Sequence, residues 1–226
     1  MRAALESLLR VRKLDVTLTD APGALGPPPE RLAPAGDPDL DAALRGGLRR
    51  GHLSEVTGAP SCGRTTIVVA AMAAAASRGE AVALVDACDT FDPASAAARG
   101  LDLSRVLWVR PSTALGTGEP GDASRALKAF SLILQAGGFG LVVLDLADVA
   151  PAALRRFPCT TWMRIARIVE GSETVALLVG GERIARSAGG VTIACEPAPI
   201  SWLGGTPRAR LFNGVEPAPR VVRARG

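Results

Sequence analysis

The chain is 226 residues long, 48% hydrophobic and 21% charged, with a formal net charge of +4, a length that supports one substantial core with small appendages rather than two full domains. No apolar run reaches the roughly 18 to 20 residues of a membrane span, and charges interrupt the leucines of "MRAALESLLRVRKLDV", so the expectation is a cytosolic chain with neither spanning helix nor signal peptide. Among the basic residues only Lys13 and Lys128 are lysine, and this arginine bias, beside the alanine, glycine and proline load, points to a GC-rich coding sequence rather than to a nucleic-acid footprint.

Leu5, Leu8 and Leu9 stand at the i, i+3, i+4 spacing of an amphipathic helix over residues 3 to 14. Residues 20 to 39, "DAPGALGPPPERLAPAGDPD", are too rich in proline and glycine for regular structure and read as a linker. The helix is then tethered, and can pack on its own core or on a partner. From residue 40 the pattern becomes α/β: "HLSEVTG" as a strand, "TTIVVAAMAAAASRG" as a helix stopped by Gly79, "AVALVDA" as a continuous apolar strand. "DASRALKAFSLILQAGG" reads as a helix, "FGLVVLDLAD" as a strand with acids at its carboxyl end, and "FPCTTWMRIARIVEGS" as a helix; "ETVALLVGG" and "GGVTIACEP" follow as strands. Such alternation predicts a mostly parallel sheet covered by helices on both faces, with ligands at the carboxyl ends of its strands. The stretch from Pro197 onward shows no clear period. Cys62, Cys88, Cys159 and Cys195 lie far apart without a CxxC pair, which argues against zinc and against a disulfide framework.

"GAPSCGRTT", residues 58 to 66, has the outline of a phosphate-binding loop. Gly58 and Gly63 let the backbone curl so that successive N–H groups and the start of the next helix face an anion. Thr65 and Thr66 supply hydroxyls, of which Thr65 is placed to hold magnesium, but Arg64 stands where such loops carry a compact lysine. A working cradle and a tight turn without ligand both remain open on these residues.

Longer stretches carry a family resemblance. "LDAALRGGLRRGHLSEVTGAPSCGRTT", residues 40 to 66, resembles the entry to the ATP-binding core of the RecA recombinases; "AVALVDACDTFDPASAAARGLDLSRVLWVRP", residues 81 to 111, resembles the next strand, its loop and the strand after. "FGLVVLDLAD" is similar to the family's second acidic strand, with Asp145 at the magnesium-associated aspartate. The resemblance runs from about residue 40 to 196 and implies a RecA-like P-loop core.

Departures from the family pattern fall on its chemistry. Where the family has an aspartate, alanine, glutamate run whose glutamate orients the attacking water, this chain has Asp86, Ala87, Cys88; Leu146 replaces a serine, and Gly180 and Gly181 align with the polar residues that sense the γ-phosphate. Both segments corresponding to the family's DNA-holding loops are short, and no counterpart of its long C-terminal domain is expected. Phosphoryl transfer depends on positioned charge, so these losses together imply no hydrolysis; ATP or ADP with magnesium remains conceivable only as a structural ligand at Gly58, Gly63, Arg64, Thr65, Thr66 and Asp145.

Size and pattern of decay are similar to the bacterial ImuA group and, more distantly, to SulA-type division inhibitors. The former resemblance implies a non-catalytic accessory of DNA-damage-induced mutagenesis, with RecA, an ImuB-like scaffold and an error-prone DNA polymerase as partners. Contacts would run through Leu5, Leu8 and Leu9 and through Arg208, Arg210, Arg220 and Arg223 of the arginine-rich tail, which suits DNA phosphates or an acidic protein surface equally, or forms a solvated terminus. The alternatives are a slow, atypical ATPase in which Asp89 replaces the lost glutamate, and a division inhibitor.

Overall fold

A computed structural model describes residues 31–110, 122–185, 189–197, 200–206, 209–215 and 218–223. Its centre is a seven-stranded sheet built from β3 (Leu53–Gly58), β4 (Val82–Asp86), β5 (Val106–Val109), β6 (Leu141–Asp145), β7 (Val175–Gly180), β8 (Gly189–Glu196) and β11 (Ala218–Arg223). Across the sheet the order is β11-β8-β3-β7-β6-β4-β5. Every neighbouring pair is parallel except β11 with β8.

Parallel strands need crossovers, and the helices that supply them cover both faces. On one face α2 (Arg64–Ser77) sets Ile67, Val68 and Met72 against Val56, Leu84, Val143 and Leu177. On the other, α4 (Ala123–Ala136) and α6 (Cys159–Val169) set Phe130, Leu134, Trp162 and Ile165 against Val85, Leu144 and Leu178. Each large apolar side chain buried this way contributes about 1.5 to 3 kcal/mol. Because both faces are covered, β4, β6 and β7 are continuous apolar runs rather than alternating ones.

Helix starts follow the sequence closely. Asp37 caps α1 (Pro38–Ala43) and Asp92 caps α3 (Pro93–Ala98), each with proline in the first turn. Asp122 caps α4 through the amides of Ser124 and Arg125, and α5 (Pro151–Leu154) is a single turn opened by its proline.

Two segments differ from expectation. Residues 31–39, expected in the linker, are part of the core: β1 (Leu32–Ala33) pairs antiparallel with β2 (Leu48–Arg49). Ala33 and Ala35 are buried, and the Ala35 amide donates to Asp41 Oδ1 at 2.6 Å. Alanine is small enough to pass under α2 here, which composition could not show. The tail is likewise structured: β9 (Ile200–Leu203) and β10 (Leu211–Val215) form a separate antiparallel pair, and β11 adds an edge to the main sheet.

Candidate nucleotide site

The glycine loop leaves β3 at Gly58 and enters α2 through Gly63. Gly63 has φ 88 and Ser61 φ 63; glycine takes up this left-handed backbone freely, serine at a cost. Gly58 has no room for a side chain, because a Cβ there would meet Cys62 Sγ and lie 2.5 Å from the Cys195 carbonyl oxygen. Gly63 offers no side chain to cap α2, so the N–H groups of the first turn are left to an anion or to water. Thr65 is exposed beside them and Thr66 half-buried.

Arg64 turns away from that opening. It is only 7% exposed; Nη1 donates to the Gly58 carbonyl, and Nη2 donates to Asp148 Oδ1 at 3.4 Å. The planar fork thus ties the first carbonyl of the loop to an acid just beyond β6. Lysine, a compact point charge, lacks the planar fork that reaches these two acceptors with separate nitrogens.

Adjacent strand ends bring the other acids together. Asp86 of β4 and Asp145 of β6 are register partners. Asp86 is buried and spends its oxygens on backbone: Oδ1 accepts from the amides of Cys88 and Thr90 at 3.3 and 3.2 Å, and Oδ2 from Phe91 at 2.9 Å. It shapes the loop after β4. Asp145 accepts from the Ala147 amide at 2.9 Å. Burial, reinforced by Asp86 and Asp148, pushes its carboxyl up to about 6, against the Ala147 amide and the Arg64 charge, which pull it down. Cys88 stands beside these acids, and burial first, then Asp148, Asp145 and Asp86, raises its thiol. Among the described residues no group of three or more histidines, cysteines, aspartates and glutamates could hold a metal ion.

The loop, the strand order and the acids at adjacent carboxyl ends agree with the comparisons. The RecA N-terminal domain family matches residues 29–155, more than half of the chain. The chain belongs to the RecA family. It is 35% identical over 128 residues to Protein RecA of Kineococcus radiotolerans, covering 56% of this chain and 34% of that one. It is also 37% identical over 122 residues to Protein RecA of Acholeplasma laidlawii, covering 53% and 34%. The chain thus spans about a third of the length of the curated relatives it matches. A crystal structure of the RadB recombinase shares the fold with a TM-score of 0.54 at 18% identity, covering 72% of this chain and 82% of that one.

Within this RecA-family core the remaining sequence-predicted residues scatter. Asp89, the substitute carboxylate, has φ 59 and is held by both arms of Arg110, Nε to Oδ1 and Nη2 to Oδ2, each at 2.7 Å. That pairing holds Asp89 below the usual carboxylate range and turns it toward Trp108, over whose ring Arg110 lies at 4.3 Å. Gly180 ends β7, and any side chain there would meet Ile184 and Glu182. Leu5, Leu8, Leu9 and Arg208 lie outside the described residues. Arg210 stacks on Trp202 at 4.8 Å, Arg220 pairs with Glu196 at 3.0 Å, and Arg223 ends β11. Trp202, Leu203 and Leu211 are 45%, 57% and 72% exposed.

Asp148 and Glu55 were missed. Asp148 follows Asp145 in "LDLAD", and that spacing was the available signal. Glu55 lies buried in β3, where it accepts from the amides of Ile184 and Ala185 at 2.5 and 2.9 Å. Burial raises its carboxyl, with those amides opposing. Its effect is to fix the segment after β7. That segment and the one after β6 flank a cleft of about 360 Å³ lined by Leu154, Arg155, Trp162, Arg183 and Ile184.

Proposed function

We propose that this RecA-family chain acts by binding other proteins rather than by hydrolysing ATP, as an ImuA-like accessory of DNA-damage-induced mutagenesis. The observation that carries the reading is the placement of Arg64. Its guanidinium is committed to the Gly58 carbonyl and to Asp148, instead of reaching forward as the loop cation of a phosphate site does. Cys88 stands where the family places its water-orienting carboxylate, and Asp89 is drawn off by Arg110. The loop backbone fits a phosphate: Gly63 and the first turn of α2 would receive it, and Thr65 with Asp145 would face a magnesium ion that screens its charge. The side chains do not fit a hydrolysed one, so no chemical step is assigned.

A scaffold that keeps its core and loses its chemistry retains its surfaces as function. The partners proposed are RecA, an ImuB-like protein and an error-prone polymerase; any DNA contact would be weak. Titration of the purified chain with a fluorescent ATP analogue and magnesium, with phosphate release followed in the same samples and Arg64→Lys alongside, tests the reading. Absent release, with retention of RecA or an ImuB-like protein on the immobilised chain, is expected. Release at a rate abolished by Asp145→Ala would make the protein an atypical ATPase instead. Binding to the division tubulin homologue without binding RecA would favour a division inhibitor.

A further inference from the structure

Two of the four cysteines converge on the glycine loop from different parts of the chain. Cys62 sits in the loop and Cys195 on β8, where it is the register partner of Gly58. A Cβ on Gly58 would touch Cys62 Sγ and lie 3.2 Å from Cys195 Cβ. The two side chains therefore flank the same bare glycine, which leaves the space between them open. Both are free thiols and almost fully buried, at 1% and 4% exposure. Burial, followed by the neighbouring Cys62, pushes the Cys195 thiol up to about 12.

We propose that Cys62 and Cys195 are a modification site, an oxidisable dithiol whose disulfide staples the glycine loop to β8. The inference does not depend on whether nucleotide binds. The oxidant is a peroxide, small enough to pass the exposed residues Ala59, Pro60 and Ser61 where a bulky disulfide reagent could not. Cys62 follows the exposed Ser61 in the loop, so its sulfur is the one the peroxide meets first. That sulfur takes an oxygen from the peroxide as the O–O bond breaks, and the thiol proton goes to the departing oxygen, giving a sulfenic acid and one water. The Cys195 thiol then attacks that sulfur, the S–S bond forms, and the sulfenic hydroxyl leaves as a second water. Two thiols are oxidised and one peroxide is reduced to two waters, so atoms and electrons balance.

Ser61 holds a left-handed φ of 63 beside Cys62, so the loop already carries local strain. Cys88 and Cys159 serve as internal controls, because they belong to other surroundings: Cys88 lies among the acids beyond β4, and Cys159 is exposed at the start of α6.

The test treats the full chain with hydrogen peroxide, blocks remaining thiols after unfolding, and maps peptides without reduction. The expected result is a Cys62–Cys195 linked peptide in an intact chain lighter by two hydrogens, and amide exchange at residues 59–63 slowed about 10-fold relative to the reduced protein. Cys195→Ser, checked for native circular dichroism, should yield no link and should leave Cys62 as a sulfenic acid captured by a dimedone probe. Cys195→Ala serves where the serine variant does not fold. Recovery of Cys62 and Cys195 as blockable thiols while Cys159 oxidises would overturn the proposal. So would linkage of Cys62 to Cys88, to Cys159 or to a second chain.

Discussion

Replacing Arg64 by alanine tests the placement on which the functional reading rests. The guanidinium makes two contacts. One is a charged donor on the Gly58 carbonyl in a buried setting, a class of bond that contributes about 1.5 to 3 kcal/mol. The other is the 3.4 Å pair with Asp148, whose side chain is 50% exposed, so that solvent screening limits it to about 1 kcal/mol or less. Losing both, with no partner left for the carbonyl except water, destabilises the chain by about 2 to 4 kcal/mol. At roughly 2 to 4 °C per kcal/mol for a chain of this size, the thermal midpoint falls by roughly 5 to 15 °C. Arg64→Lys keeps the charge and one contact, and should lose about half as much. Asp148→Asn, combined with Arg64→Ala in a double-mutant cycle, isolates the pair, with an expected coupling of about 1 kcal/mol or less. Urea denaturation of the four proteins is the assay. An Arg64→Ala chain that unfolds at the wild-type urea concentration would refute the reasoning, for it would show the guanidinium facing solvent, where it would be free to meet a phosphate.

Asp145 makes stability pH-dependent with a sign opposite to that of most acids. Its folded value near 6 lies above the unfolded value of 3.8, so its contribution is fully present only below that unfolded value and is lost as pH rises through 6, on the order of 3 kcal/mol in all; Asp145→Asn should remove most of that component in urea melts compared at pH 4 and 7. Gly58→Ala forces a methyl against Cys62 Sγ and to 2.5 Å from the Cys195 carbonyl oxygen, and should destabilise by about 1 to 3 kcal/mol by the same assay. Glu55→Ala leaves the Ile184 and Ala185 amides without their acceptor, at about 1 to 3 kcal/mol, and hydrogen exchange should quicken at both; Glu55→Gln keeps an oxygen in place and should spare that protection.

The sheet was legible because its strands are buried on both faces, so β4, β6 and β7 announce themselves as unbroken apolar runs, and helix starts such as Asp92-Pro93 and Asp122 carry their own caps. β11 was not legible. As an edge strand its burial is partial: Val221 packs on the core while Arg220 and Val222 face outward, a pattern too short to stand out from a solvated arginine tail. The loop glycines could be read from their spacing, and Asp145 from the resemblance of "FGLVVLDLAD" to the family's second acidic strand. The destination of the Arg64 side chain could not, because residue identity fixes its charge and reach but not which acceptors the fold brings within them. Glu55 was hidden for a related reason: alternation in "HLSEVTG" suggests an outward glutamate, yet residues on both faces of β3 are buried.

Charge at the loop distinguishes a relic from a working site. With Arg64 paired to Asp148, an anion reaching the first turn of α2 meets backbone N–H groups and, nearby, the carboxylates of Asp86 and Asp145, while the Arg64 guanidinium is held on the Gly58 carbonyl and Asp148. Protonation of Asp145 as pH falls through about 6 removes one repelling charge, worth about 1 kcal/mol or roughly 5-fold in affinity. Sulfate keeps its charge across that range, so without metal it should bind more tightly at pH 5.5 than at 7.5, and Asp145→Asn should abolish the difference. A site that works through magnesium behaves in the reverse sense, since the ion needs Asp145 ionised, and nucleotide with magnesium would then bind more tightly at pH 7.5. Isothermal titration of both ligands at both pH values separates the cases: sulfate affinity flat with pH, together with magnesium-nucleotide affinity rising at pH 7.5 and lost in Asp145→Asn, would show that Asp145 still serves the metal and that the loop is a functioning nucleotide site.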